Sequence, residues 1–587
     1  MNNSKSDLSR ADSSLSPHAV LIDDDPLVHT CWQLVAKQED AELLGVHSAR
    51  EFFQIAPQLN RNTPIYIDSD LGPGLSGEWI AKEIYALGFK ELHLQTGRDP
   101  LSFGTMPWIK TVAGKDPPIF RKPKKSSLTS DISPTIVVGA GVAGLMFAIL
   151  HARRGEKVII IEKRNDFGHG KYTSARSVNF TLSSRGLAML KEAGLHEEVS
   201  KFATPLQFRA LHLGETTINQ PYGQTATEVL YAIRRFDLIR ILYNAAKANK
   251  NVEFNFGSTF EDISTDSKTV TFKTSTGLET KKYSLFVAAD GALSTAVRRL
   301  QFQKWCTYHF DVSDWGYKEF TIPASNGRYA LAPNALHLWS KGHSLVCAIP
   351  NPDGTFVGNI IMPMKGKVSF ETINEHSSIE TFLRQSYSDI LPLCRDLTQQ
   401  LLDAPSASIV TTKLANWAFG GDTIVIGDAC HGISPFLGQG MNAALEDAVI
   451  LDSILRNDYV PIGDRLSQFQ AFRKPDTDAL AALSHEHLDQ LRLHLGSPWQ
   501  IAKNRAQQYL AKKLPKYFRP KYSLIAHGVV PYRTALASSK SLKTKLAGVA
   551  LLPFQTFFFL YGLLFSINDS ARTNAGISGS QLEAPRL

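Results

Sequence analysis

One stretch constrains this chain more than any other. The apolar run Thr135–Val138 leads directly into Gly139-Ala140-Gly141-Val142-Ala143-Gly144. A helical pattern follows from Leu145 to Arg154, and a second apolar run, Lys157–Ile161, ends at Glu162. Strand, glycine turn, helix and acid-tipped strand form a βαβ unit that takes a dinucleotide. Gly139 permits the tight turn, Gly141 lets backbone amides approach a pyrophosphate, and Gly144 lets the helix pack on the sheet. The helix N-terminus favours the anion, and Glu162 can accept hydrogen bonds from ribose hydroxyls. By itself this fingerprint does not separate NAD from FAD.

Two later segments do. Phe286-Val287-Ala288-Ala289-Asp290-Gly291-Ala292 brings an apolar strand to an Asp-Gly turn, with Ser294 and Arg298 beyond it. Within Thr423–Leu451 a strand delivers Gly427-Asp428, and the turn Gly438-Gln439-Gly440 then opens a helix. Asp428 is suited to hold a ribityl hydroxyl. The amides of that helix start, at Gly438, Gly440, Met441 and Asn442, suit negative charge on a reduced flavin. With its GxGxxG turn, mid-chain Asp-Gly and Gly-Asp-Ala-x-His-x-x-x-Pro run, the chain resembles the aromatic-hydroxylase group of FAD monooxygenases.

Within that group, roughly residues 134–535 resemble the kynurenine 3-monooxygenase family. The resemblance lies in Arg176 to Gly186 (RSVNFTLSSRG), Asn334 to Trp339 (NALHLW), Ala348 to Phe356 (AIPNPDGTF) and Pro435 to Asn442 (PFLGQGMN). It implies that Arg209 and Tyr222 grip an amino-acid substrate, which a guanidinium fork and a phenol can do chemically. It further implies a second Tyr at Tyr522, Arg176 and Arg235 near the flavin, and Pro435, Phe436 and Gln439 between flavin and substrate. Two positions depart: His487 stands where the family has Asn, and Met364 where it has Phe. A histidine there can donate, and can also be cationic near neutral pH. The implied reaction uses NADPH to reduce FAD and O2 to form a flavin C4a-hydroperoxide, which hydroxylates an aromatic ring, L-kynurenine first among candidates. Such chemistry asks the protein to position the ring and exclude water. His431 and His487 lack Cys or carboxylate partners at ligand spacing, so no metal is expected in this part of the chain.

Residues 17–120 alternate short apolar runs with helical patterns. Ala19-Val20-Leu21-Ile22 ends in Asp23, Asp24 and Asp25; Pro64–Ile67 ends at Asp68; Leu92–Gln95 ends at Thr96; Lys115 follows. This resembles a response-regulator receiver domain. The resemblance implies Mg held by Asp23 and Asp24, Asp68 as phosphoacceptor, and a histidine kinase or docking partner. Asp70 is a rival carboxylate, Asp116 rather than Pro follows Lys115, and Val112 stands where many receivers carry an aromatic. A working switch and a degenerate docking module both remain open.

The expected architecture is α/β throughout. A doubly wound, flavodoxin-like receiver-like domain (17–120) precedes a linker (121–133) and a Rossmann-type FAD domain with an interleaved β-sheet substrate domain (134–480). A helical region (481–545) and a hydrophobic tail (546–567) follow. The tail is uncharged for 22 residues, long enough to span a bilayer, but Pro553 and Gln555 leave a buried or interfacial helix equally open. The formal charge of +8 over 587 residues is no nucleic-acid signature. Five widely spaced cysteines and an N-terminus without an apolar run fit a reducing cytosol, with peripheral or C-terminal membrane anchoring as the variant. Three functions stay in view: a kynurenine hydroxylase, a hydroxylase of another carboxylated aromatic, and a phosphorylation-linked flavoprotein sensor with little turnover.

Overall fold

The structure, a computed structural model, describes residues 17–38, 41–72, 76–97, 100, 103, 106–118, 133–166, 179–223, 225, 228–303, 306–457, 460–493, 507, 509, 513, 520–528 and 530–537. It divides into two compact units, Met1–Ile132 with Ser453–Gln468, and Ser133–Asp452 with Phe469–Leu587.

The first unit is built on five parallel strands, β1 (Ala19–Ile22), β2 (Leu43–Val46), β3 (Ile65–Asp68), β4 (Leu92–Gln95) and β5 (Thr111–Ala113), in the order β2-β1-β3-β4-β5. Central strands buried on both faces must be apolar throughout. Accordingly Val20, Ile22, Ile65 and Ile67 feed one core, while Ala19, Leu21 and Tyr66 pack around Trp32 in another. This is one of the two common doubly wound orders, in which the carboxyl ends of the strands share one edge. Asp23, Asp68 and Thr96 therefore meet although 45 and 28 positions separate them in turn.

In the second unit a six-stranded sheet runs in the order Val252–Phe256, Val158–Glu162, Thr135–Val138, Leu285–Ala288, Thr423–Val425, Ala418–Phe419. The first five are parallel and the last turns back. The three strands that end in the glycine loop, Asp290 and Gly427 are thus immediate neighbours. A seven-stranded sheet follows the order Thr216–Pro221, Phe208–Leu213, Ala335–Ser340, Leu345–Pro350, Phe356–Pro363, Tyr308–Ile322, Ala407–Leu414. One of its faces carries Leu211, Leu338, Leu345, Ile361 and Ile409.

The expected boundary at residue 480 falls inside one continuous helix, Ile462–Leu493, which contains Pro475. Leu480 and Leu483 bury one stripe of it against Leu437 and Ile525; burial of this kind overrides the breaking tendency of a single proline. Among the described residues no helix is long and apolar enough to cross a membrane. The tail at 546–567 lies outside the described residues.

Candidate functional site

The glycine loop has the shape that the fingerprint demands. Gly139 sits at φ +103°, and a Cβ there would lie 2.6 Å from the Ala289 carbonyl oxygen. A Cβ on Gly144 would lie 2.1 Å from the Gly139 carbonyl oxygen. Gly141 differs: a Cβ would meet only the Ala289 oxygen, at 3.9 Å, so no protein neighbour requires a glycine there. Its bareness leaves backbone open at the N-terminus of the helix Val142–Arg153, where an anion is favoured. Glu162 is buried and accepts the Ala140 N–H at 2.7 Å, and Arg164 reaches it at 2.8 Å. Burial works against the charge, but Arg164 outweighs it and holds this carboxyl below its usual range.

The flavin-side turn is a clamp as much as a cradle. Asp428 is exposed at the strand end, after Gly427 at φ +66°. Gly438 takes φ +68°, and Gly440 and Met441 begin the helix Gly440–Leu455, whose first N–H groups have no partners within the helix. Asn442 is not free to bind a ligand through its side chain. Its amide donates to the Thr181 and Gly438 carbonyls at 2.9 and 3.0 Å and accepts the Ser183 N–H at 3.0 Å. The Gln439 side-chain oxygen accepts from the Ser183 and Tyr532 hydroxyls, Pro435 is exposed, and Phe436 packs with the apolar face of the seven-stranded sheet. The Asp290 carboxylate is committed to its own chain. It accepts from Ser294 Oγ at 2.5 Å and from the Thr295 and Ala296 N–H groups at 2.7 and 3.2 Å, starting the helix Thr295–Phe302. Arg235 is exposed, with its guanidinium 5.8 Å from the Phe180 ring centre. Arg176 lies outside the described residues.

Arg209, Tyr222, Tyr522 and His487 come from a strand, the residue after a strand and two helices, and the fold brings all four together. The Arg209 guanidinium lies 4.5 Å from the Tyr522 ring centre and 5.4 Å from that of Tyr222. The two phenols stack at 5.7 Å, and His487 sits 5.8 Å from Tyr522. The tight Tyr222-Gly223 turn is a steric necessity, because a Cβ on Gly223 would lie 2.1 Å from Glu228 Cβ. Burial raises both phenol pKa values, Tyr222 most, so both stay protonated donors. Burial, helped by Arg209 and Lys521, pushes His487 down to about 3. Of the two forms the sequence left open, burial favours the uncharged one: His487 is a neutral imidazole at neutral pH. Among the described residues no carboxylate pairs with Arg209.

The glycine loop, exposed Asp428 and open helix starts fit FAD, and comparison with known proteins agrees. The model of the FAD binding domain family matches residues 133–460. A kynurenine 3-monooxygenase of Salinispora tropica is 35% identical over 427 residues, covering 71% of this chain and 94% of that protein. The chain belongs to the kynurenine 3-monooxygenase family. A second such enzyme, from Myxococcus xanthus, is 33% identical over 404 residues, 68% of this chain and 87% of its own. As a family member the chain is an FAD-dependent monooxygenase. Two solved structures share the fold: 2-methyl-3-hydroxypyridine-5-carboxylic acid oxygenase (19% identity, TM-score 0.53, covering 66% of this chain and 99% of that one) and P. aeruginosa PqsL (20%, 0.52, 62% and 97%). Adding a methyl group at Gly144 overpacks the loop on which this FAD site rests. Gly144→Ala is expected to cost about 1–3 kcal/mol and to yield protein lacking the flavin absorbance band; full flavin content would refute the steric argument.

One feature of this monooxygenase was not flagged by its motifs, a buried network of charge behind the Gly427 turn. Asp447 accepts the Gly427 N–H at 3.0 Å, bonds His431 Nε2 and pairs with Arg473 at 2.9 Å. Arg473 continues to Glu446 and Asp476 at 2.9 and 3.2 Å, and Glu446 pairs with Arg185. The sequence reading gave His431 no carboxylate partner; the fold supplies Asp447, sixteen positions on, with Cys430 beside it. The Asp447 oxygens are taken by Gly427, His431 and Arg473, and a cation there would meet the Arg473 guanidinium. The cluster reads as a structural ion network. Only its pairing at i and i+3 or i+4 along helices would have shown in sequence.

In the first unit, donor oxygens of Asp23, Asp24 and Asp68 lie within 4.8 Å of one another. Lys115 Nζ stands 2.8 Å from Asp68 and 3.1 Å from Asp23. Burial raises the Asp68 pKa, with Asp23 adding to it and Lys115 opposing. Thr96 Oγ1 accepts from Ser69 at 2.9 Å.

Proposed function

We propose that this monooxygenase hydroxylates an aromatic amino acid, L-kynurenine, at the ring carbon named by its relatives, with NADPH as reductant and O2 as oxygen source. The observation that carries the reading is Arg209: a half-buried guanidinium beside a stacked pair of neutral phenols and near a neutral imidazole, with no described carboxylate of its own. Such a group is satisfied by a carboxylate brought in by the substrate, held bidentately and supplemented by phenol donors. FAD, when bound, supplies the redox chemistry and activates oxygen. The glycine loop and the start of the helix Val142–Arg153 would hold its pyrophosphate, Asp428 its ribityl chain, and the start of the helix Gly440–Leu455 its ring. The chain's own part is to anchor the carboxylate at Arg209, orient the ring along the apolar sheet face that carries Phe436, and keep water away from the reacting atoms.

Anaerobic stopped-flow tests this. Mixing holoenzyme with NADPH is expected to bleach the flavin band slowly alone and at least about tenfold faster with L-kynurenine, and aerobic turnover is expected to give 3-hydroxykynurenine. Reduction indifferent to kynurenine, with peroxide as the product, would move the assignment to another carboxylated aromatic.

The first unit supports a second reading, as a receiver-like module that takes phosphate on Asp68 with Mg held by Asp23 and Asp24. Its support is the parallel strand order and the Lys115–Asp68 contact of 2.8 Å. Full-length protein incubated with Mg and acetyl phosphate is expected to gain one phosphate by intact mass, and Asp68→Asn none, with flavin content unchanged. No mass gain in the wild type would leave the unit as a docking module without a phosphoacceptor.

A further inference from the structure

A row of side chains crosses the seven-stranded sheet at right angles to its strands. Register pairs Leu211 with Leu338, Leu338 with Cys347, Cys347 with Asn359, and Asn359 with Glu319. Residues two apart on a strand share a face. Arg209 therefore stands on the face of Leu211, and Asn359 on the face of Ile361. Leu211, Leu338, Cys347, Ile361 and Phe436 all belong to one apolar cluster. Cys347 is also near enough to Tyr222 to act on its phenol electrostatically. The row thus runs from the strand that carries Arg209 toward polar residues at its other end. Three strand spacings and a two-residue offset along the strand, about 16 Å in all, separate the backbones of Arg209 and Asn359. A long arginine side chain and an aromatic amino acid together would fill that gap.

Asn359 stands apart from the apolar side chains beside it. Its side chain, opposite Cys347 in register, ends in a carboxamide oxygen. That oxygen is shut off from solvent and has no hydrogen-bond partner among the described groups. An acceptor buried in this way is costly unless a donor reaches it, and a site built around one discriminates strongly against ligands that lack the donor. Glu319, directly across the strand pair, adds acidic character to the same end and so favours a donor over an acceptor.

We propose that Asn359 is a specificity-determining residue of the substrate pocket, its carboxamide oxygen accepting an N–H or O–H borne by the substrate's ring, at the end remote from the carboxylate that Arg209 holds. The substrate class is then a carboxylated aromatic with a ring-borne hydrogen-bond donor. The inference rests on the proposed hydroxylase reading and sharpens it.

The test is a binding comparison on full-length holoenzyme, following the flavin spectrum as ligand is added. L-Kynurenine is set against its analogue lacking the ring amine. The wild type is expected to prefer kynurenine by about tenfold or more. Asn359→Leu is expected to bring the two within about twofold of each other while leaving affinity for the analogue unchanged. Asn359→Asp, which keeps an acceptor, should retain the preference. If the Leu variant does not retain flavin, Asn359→Ala is read in the same way. A full preference in the Leu variant, or equal loss for both ligands, overturns the assignment. Should kynurenine leave flavin reduction unaffected, the kynurenine reading fails on that ground alone, and the same comparison is made with 4-aminobenzoate and benzoate, which differ only in a ring amine remote from the carboxylate. Discrimination that disappears in Asn359→Leu upholds the role of Asn359; its persistence, or no discrimination in the wild type for either pair, ends it.

Discussion

Replacing Arg209 by Met is expected to weaken binding of the carboxylated substrate by about 2–5 kcal/mol, roughly thirty-fold to several-thousand-fold in KM, with flavin content unchanged. The guanidinium faces two phenol rings at 4.5 and 5.4 Å, both kept protonated by burial, so it is the only formal charge these four residues offer a carboxylate. Methionine keeps the bulk of the stem and removes that charge. Arg209→Lys is expected to recover only part of the loss, because a point ammonium cannot form the paired contacts of a planar fork. Steady-state KM, and the dependence of flavin reduction on kynurenine, read the effect directly. An unchanged KM in Arg209→Met would remove Arg209 from the site. The low pKa of His487, about 3, adds a condition. The imidazole is neutral throughout the assay range, so KM should show no step between about pH 5 and 8 that His487→Asn removes.

The second large effect is structural. Asp447→Ala is expected to lower stability by about 3–5 kcal/mol, because it removes one of the three carboxylates around the fully buried Arg473 and the one that pairs with buried His431. An unfolding midpoint lower by about 5–10 °C is the corresponding thermal signature. The variant should also lose flavin more readily, since Asp447 pins the Gly427 N–H at the root of the Asp428 turn. The pH dependence has a definite sign. Burial opposes charge on both groups, but their mutual attraction prevails: Asp447 is held below the usual carboxylate range and His431 is raised above its usual value of 6.5. The His431 contribution is complete below about pH 6.5 and is lost as pH rises through its raised value. The Asp447 contribution is complete above the usual carboxylate range and is lost as pH falls through its depressed value. Wild-type stability should therefore decline on the alkaline side in a way that Asp447→Asn does not. Matching alkaline profiles would show that the pair carries no such coupling.

The strands, the glycine loop and the FAD assignment were legible because each is a local statement. Gly139 and Gly144 are demanded by contacts of 2.6 and 2.1 Å within a short stretch of chain and its neighbouring strand, and the βαβ pattern announces them. Family resemblance also named a set of four residues, from positions 209 to 522, and the fold brings them together. A side chain's type fixes its chemistry but not its partner. The Asp290 carboxylate caps a helix and the Asn442 carboxamide joins the Thr181–Gly438 clamp, while the Asn442 backbone amide stays at the helix start where the motif places it. His487 was open to being cationic until burial beside Arg209 settled it as neutral.

The amino-acid sequence determined by itself the class of fold, the cofactor and the family, because glycine spacing and apolar periodicity are constraints on consecutive residues. It also placed an acidic cluster at the strand ends of the first unit. Only the tertiary structure decided which charges are spent and which remain available. Arg473 and Arg209 are the same residue type, but one is neutralised by Asp447, Glu446 and Asp476 while the other faces two phenols. That difference arises from strand order and helix placement, which set distances between residues far apart in the chain. The electrostatics of a buried group depends on those distances and on the loss of water, and neither is written in its immediate neighbours.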